Sequence, residues 1–175
     1  MAMPKPIMTA MSTTLPRTAA PGPGLRARSS AALKRRLEAA RAHCTARGAQ
    51  LTAQRAEVLE LLLLRGGQAK AYDLQSDLQV RHGRMAPTTV YRALDFLQSH
   101  QLVHKVDASN TFIVCAHADH AHPAILAICT ACGAIKESHP DGPIDELIGR
   151  LQVRDFVPSA LEVKGLCAAC SAGRA

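Results

Sequence analysis

Two pairs of cysteines, Cys129 and Cys132 in "CTAC" and Cys167 and Cys170 in "CAAC", share the C-x-x-C spacing. A turn of that kind presents two thiolates to one ion at about 2.3 Å, and zinc is satisfied by four tetrahedral ligands. The two knuckles, 34 residues apart, together supply a complete four-cysteine set. Such a set leaves no position for water, so the expected zinc is structural. The competing reading is two separate buried or redox pairs. A thioredoxin-type site would want one C-x-x-C in a βαβ context, which this chain does not offer.

Other ligand types crowd the middle of the chain. His104 lies in "LVHKV", Cys115 ends "TFIVC", and "CAHADHAH" adds His117, Asp119, His120 and His122. Glu137 follows the first knuckle. Any one of these alone is more simply an ordinary surface or core residue. Their concentration where the two halves of the chain meet exceeds that expectation.

The elements that must carry these residues follow from periodicity. Leu33, Leu37 and Ala40 recur at helical spacing over 30–46, with Gly48 as the stop. In "LTAQRAEVLELLLLRGG", Thr52 caps a second helix whose apolar face includes Val58, Leu59, Leu62 and Leu63. "AYDLQSDLQVRHG" gives a third, burying Leu74, Leu78 and Val80. In "APTTVYRALDFLQSH", Pro87 suits the first turn of a fourth. There Val90, Leu94 and Leu97 form a stripe that must face a core. Thr88, Arg92, Asp95 and Ser99 form a polar stripe with Tyr91 beside it. "LVHKV" and "TFIVC", joined by "DASN", read as a hairpin. Helices followed by a hairpin is the order of a winged helix-turn-helix, whose last helix enters the major groove. Arg92 then sits where a bidentate contact reads guanine, or else is a solvated surface charge. After the first knuckle come strand-like "AIKES", helix-like "PIDELIGRLQV" and strand-like "SALEVKG". A zinc clamp would fasten this end of the chain back onto the first knuckle. Cys44 fits neither ligand group and reads as a small core hydrophobe.

Charge divides the same way. Residues 1–103 carry 15 Lys+Arg against 6 Asp+Glu, and residues 104–175 carry 6 against 8, within a net charge of +7. A basic half beside a ligand-rich half suggests nucleic-acid binding joined to another task. No run of 18 apolar residues occurs, which argues against a membrane span. The first 30 residues, rich in Pro, Ala, Gly and Arg, read as a disordered tail, with a transit peptide as the competing reading. With no secretory signal in view, a reducing cytoplasm is expected, where paired C-x-x-C favours zinc over disulfides.

The segments "LTAQRAEVLELL", "AYDL", "PTTVYRALDFL", "LVHKV", "CTACGAIKE" and "GLCAAC" resemble, in order, the ferric uptake regulator family of bacterial metal-sensing repressors. They are most similar to its zinc uptake regulator branch and cover roughly residues 33 to 170. The resemblance, outside which the tail at 1–30 lies, implies an α+β chain that opens with a winged helix-turn-helix over 31–108. A small α/β dimerisation domain, stapled by the four-cysteine zinc site, follows over 109–175. It implies a structural zinc at Cys129, Cys132, Cys167 and Cys170, and a regulatory zinc at the hinge on His104, Cys115, His122 and Glu137, two ions per chain. It also implies base contacts from Arg92 and Tyr72, to which the polar stripe adds Thr88 and Tyr91. The expected function is a cytoplasmic homodimer that represses zinc-uptake genes at palindromic operators when loaded with zinc. No enzymatic activity, small-molecule substrate or membrane partner is expected. A thiolate beside imidazoles suits zinc better than the nitrogen and oxygen sets that iron(II) or manganese accept, so Cys115 is the expected metal selector. The stretch "HADH" at 117–120 departs from the branch, and His117 and His120 are candidates for a weaker third site. It also keeps open a sibling regulator sensing iron, manganese or peroxide. A zinc enzyme, or a zinc-stapled interaction module that does not bind DNA, are the rivals from other classes.

Overall fold

The computed structural model describes residues 23–118, 123–138, 142–152, 156 and 158–173. Four helices open the chain: α1 (Pro23–Ala46), α2 (Ala53–Leu64), α3 (Ala71–His82) and α4 (Pro87–Ser99), with a two-residue strand β1 (Gln68–Ala69) between α2 and α3. The hairpin β2 (Val103–Val106) and β3 (Thr111–Val114) follows. The second half holds β4 (Ala124–Cys129), β5 (Ile135–Ser138), α5 (Gly142–Gln152), β6 (Ala160–Gly165) and α6 (Ala168–Ala172).

The helical half closes around the expected apolar stripes. Thr52 caps α2, its hydroxyl accepting from the Arg55 N–H at 3.5 Å, and Pro87 opens α4. Leu62, Leu74, Leu78, Leu94 and Leu97 are fully buried in one cluster, joined by Cys44. At a site this closed, Leu94→Ala leaves a cavity, and a stability loss of about 2–5 kcal/mol is expected from denaturant unfolding. A loss below about 1 kcal/mol would mean that the cluster collapses around the gap.

Three expectations about this half are corrected. Helix α1 begins at Pro23, seven residues earlier than the 30–46 helix and inside the segment read as a tail; residues 1–22 lie outside the described residues. Pro23 is compatible with a first helical turn, and the Leu, Arg and Ala that follow are good helix formers. Val80 is 88% exposed rather than buried, because the apolar face of α3 is already completed by Ala71, Leu74 and Leu78. The wing has a third strand: β1 pairs antiparallel with β3 in the order β1-β3-β2. Two residues between Gly67 and Lys70 carry no periodicity from which it could be read.

The wing is apolar on both faces. Alternation along β2 and β3 sends Val103, Phe112 and Val114 into the helical cluster. Val106 and Ile113 go the opposite way, into a second cluster with Ala124, Leu126 and Ile128 of β4. His104, cross-strand from Ile113, shares that second face. The second sheet has the order β5-β4-β6, antiparallel on one side and parallel on the other. The wing is thus the shared wall between a helical core and a sheet core.

Candidate functional site

The two knuckles meet at one corner of the second sheet. Cys129 ends β4, and the turn behind it is tied by the Cys129 N–H to the Ala134 carbonyl at 2.9 Å. Gly133 completes that turn at φ +73°, a conformation other side chains rarely adopt. The second knuckle arrives because β6 runs parallel to β4, with the Thr130 N–H donating to the Gly165 carbonyl at 2.8 Å. Cys167 then stands at the N-cap position of α6. The sulfurs of Cys129, Cys132, Cys167 and Cys170 all lie within 4.8 Å of one another. Sγ of Cys132 and Cys167 are 3.8 Å apart, and the Cys167 N–H donates to Cys129 Sγ at 3.3 Å.

Electrostatics already divides the four thiols. Backbone N–H groups of Cys167, Cys132 and Ala131 favour the Cys129 thiolate and lower its pKa to about 6. Hydrogen bonds to the sulfurs of Cys167, Cys132 and Cys129 hold the Cys170 proton and raise its pKa to about 12. Four soft donors around one point, with N–H groups aimed at sulfur, fit a tetrahedral thiophilic ion such as zinc.

A second ligand group lies between the two cores. His104 points from the wing, Cys115 sits one residue past β3, and Glu137 rises from β5; their ligand atoms are within 4.8 Å of one another. Glu137 is nearly enclosed, its side chain 4% exposed. Its Oε1 lies 3.1 Å from His104 Nε2 and accepts from Cys115 Sγ at 3.5 Å, while Oε2 accepts the Ala116 N–H at 2.7 Å. The His117 N–H donates to Cys115 Sγ at 3.3 Å, and His117 Nδ1 stands 4.0 Å from Glu137 Oε1. A buried carboxylate is costly unless it is paired. Here its surroundings are an imidazole, a thiol and a backbone N–H, a mixed set suited to a borderline metal. His122 and His120 lie outside the described residues.

The residues expected at DNA lie on α3 and α4, apart from both ligand groups in the chain. Thr88, Tyr91 and Arg92 are exposed near the start of α4, and Tyr72, 75% exposed, stands in the first turn of α3. Sequence reasoning missed the Ala116 N–H, a backbone donor that no side-chain pattern announces, and Glu162, whose contacts are described below.

A winged helix-turn-helix sharing its wing with a thiol-cornered sheet, with a second group of candidate metal ligands at the junction, fits the class of metal-dependent DNA-binding regulators. Residues 46–155 match the ferric uptake regulator family, and the chain belongs to this family of transcription regulators. The zinc uptake regulation protein of Escherichia coli (strain K12) is 39% identical over 131 residues, 73% of this chain and 76% of that protein. A zinc uptake regulator solved in complex with zinc and DNA aligns with a TM-score of 0.72 at 37% identity, covering 81% of this chain and 97% of that one. Holo XcZur aligns at 0.67 and 39% identity, covering 78% and 96%.

Proposed function

We propose that this chain is a zinc-responsive transcriptional repressor, which as a zinc-loaded homodimer binds palindromic operators of zinc-uptake genes in the cytoplasm. The observation that carries the reading is the convergence of His104, Cys115 and Glu137 from opposite sides of the junction between the helical half and the second sheet. The 39% identity to a zinc uptake regulation protein supports zinc as the ion. In this reading 31–108 is the DNA-binding domain with its hinge, and 109–175 the dimerisation and metal-binding domain. Cys129, Cys132, Cys167 and Cys170 hold one zinc as a staple. His104, Cys115 and Glu137, with His122 as fourth ligand, hold the regulatory zinc. His117 and His120 remain candidates for a weaker third site.

The ion supplies cross-links that the apo hinge lacks. His104 and Cys115 belong to the wing, which is continuous with the helical core, and Glu137 belongs to the second sheet. Fixing all of them to one point restricts how the recognition helix of each protomer stands relative to its partner's. Two half-sites about one helical turn apart then match a single arrangement of the dimer. The shift is limited by how much better zinc binds the DNA-competent arrangement, and by reciprocity operator DNA tightens zinc binding. With four protein ligands the sensor ion has no open position for water, and we assign no catalytic activity.

On the DNA side, Lys and Arg of the basic half supply the salt-sensitive share of affinity. Arg92, Tyr91, Thr88 and Tyr72 supply sequence preference. Arg92→Ala is expected to cost about 1–3 kcal/mol on the operator and much less on a scrambled duplex. An equal loss on both duplexes, read by fluorescence anisotropy, would assign Arg92 to phosphate instead.

The function itself is tested in cells with a zinc-uptake promoter fused to a reporter. Repression by added zinc, relieved by a zinc chelator and absent without this protein, is the expected result. Control by iron, manganese or peroxide in place of zinc would move the chain to a sibling branch of the family.

A further inference from the structure

We propose that Glu162 is a positioning residue: its carboxylate pins the tip of the wing to the second sheet. The wing then acts as a strut between the two halves, held at its tip by Glu162 and at its base by Glu137. The proposal rests on the repressor reading above and extends it to a contact that needs no metal.

Register places the residue. Leu126 of β4 is cross-strand from Glu137 on β5 and from Glu162 on β6, so the three side chains form one row across the sheet. Leu126 is fully buried in the cluster that receives Val106 and Ile113 of the wing. Both glutamates therefore rise on the face where the wing lies. Glu137 serves the base of the wing, through the Ala116 N–H, His104 and Cys115. Glu162 serves its tip: Oε1 accepts the Asp107 N–H at 2.6 Å and Oε2 the Ala108 N–H at 3.2 Å.

Local structure at the tip makes that contact matter. The turn's own backbone hydrogen bonds are long, at 3.4 Å for Ser109 N–H to the Val106 carbonyl and 3.4 Å for Asn110 N–H to the Asp107 carbonyl, while the Ser109 hydroxyl donates to Thr111 Oγ1 at 3.0 Å. The two amides that open the turn are bound by a carboxylate from the other sheet. Bonds from N–H groups to an ionised acceptor are the stronger kind. The tip is also ill suited to a DNA groove. "DASN" has no cation, the Asp107 carboxylate is 82% exposed, and Lys105 next to it is engaged at 3.0 Å by Asp107. A wing that touched phosphate would want the opposite charge. The wing thus has one end whose anchor doubles as a proposed metal ligand, Glu137, and one end whose anchor does not, Glu162.

The test uses the full chain, wild type, Glu162→Ala and Glu162→Gln, in zinc excess. Amide exchange at 107 and 108 and operator affinity are read on the same preparations, with zinc content as the control. In Glu162→Ala the two amides are expected to exchange faster, and the operator to bind about tenfold more weakly, a size typical of coupling between sites. Zinc per chain is expected to stay unchanged. Glu162→Gln keeps an acceptor oxygen and should fall between the two. The proposal is overturned by unchanged exchange at both amides, or by Glu162→Ala binding the operator as wild type does. A wild-type chain whose operator binding ignores zinc would fail the repressor reading instead, and the amide exchange would still decide whether Glu162 holds the tip.

Discussion

Cys115→Ser is expected to give a folded dimer that keeps its structural zinc and no longer answers to added zinc. Cys115 is 4% exposed, and its sulfur lies between the Glu137 carboxylate and the His117 N–H, with His104 in the same cluster. Serine fills nearly the same space, so packing around β3 is little disturbed. It does not replace a thiolate as a zinc ligand, and the remaining set of imidazole and carboxylate no longer favours zinc. Even changes behind the first ligands cost about 10–100-fold in metal affinity, so the loss of a ligand should cost at least that. Chelator competition measures the affinity, and anisotropy on an operator duplex measures the response. The expected pair is one zinc retained per chain and an operator affinity flat against added zinc. Unfolding of the variant would place Cys115 in the scaffold instead of the sensor.

A larger structural effect is expected for Cys167→Ser. Cys167 stands at the N-cap position of α6 with no side-chain cap bond, donates its N–H to Cys129 Sγ, and brings its own sulfur to Cys132. Beyond it β6 is held to β4 by parallel pairing, whose partners lie far apart in sequence. Without the clamp, the approach to the knuckle is held by that pairing and by the Thr130 N–H and hydroxyl on the Gly165 carbonyl, and the sulfur-bearing turns themselves lose their common tie. Structural zinc supplies about 10–16 kcal/mol of apparent binding energy in small zinc modules, comparable with the roughly 5–15 kcal/mol that stabilises a whole domain. Loss of the bound zinc and of a cooperative melting transition for the second half are therefore expected. A variant that kept its zinc and its melting temperature would contradict the clamp.

Acid should act on the same site. In the zinc-free clamp the lowered Cys129 pKa means that its thiolate stabilises the fold above the ordinary thiol range, and that this is lost as pH falls through about 6. Cys170 has the opposite sign: its raised pKa contributes below the ordinary thiol range and is lost as pH rises toward about 12. Zinc must displace that proton, so loading releases protons and weakens as pH falls.

Much of this was legible in the sequence because the signals were local or chemically distinctive. The stripe of Val90, Leu94 and Leu97 could face only a core, and all three are buried. Two C-x-x-C turns have few uses in one chain, and their sulfurs converge. The expected hairpin is present, yet its double role went unread. Its second strand is apolar at the successive positions Phe112, Ile113 and Val114, the pattern of a strand covered on both faces, and the second sheet lies against one of them. What pattern could not give was non-local pairing. The two residues of β1, the parallel seating of β6 on β4, and the reach of Glu162 to the wing tip depend on partners distant in sequence. The start of α1 was misplaced because the Pro, Ala, Gly and Arg of the first 30 residues read as a disordered tail, although proline is compatible with a first helical turn.

The central claim is that one zinc staples the chain and a second one switches it. Its most direct test is a single titration. Purified protein is dialysed against a moderate chelator, retained zinc is counted per chain, and zinc, iron(II) or manganese is added while binding to a palindromic operator is followed. The account predicts one retained zinc per chain, with operator binding restored as a second zinc per chain is added and by neither other metal. Operator binding that is already complete with one zinc, or that is restored by iron(II) or manganese, would contradict it.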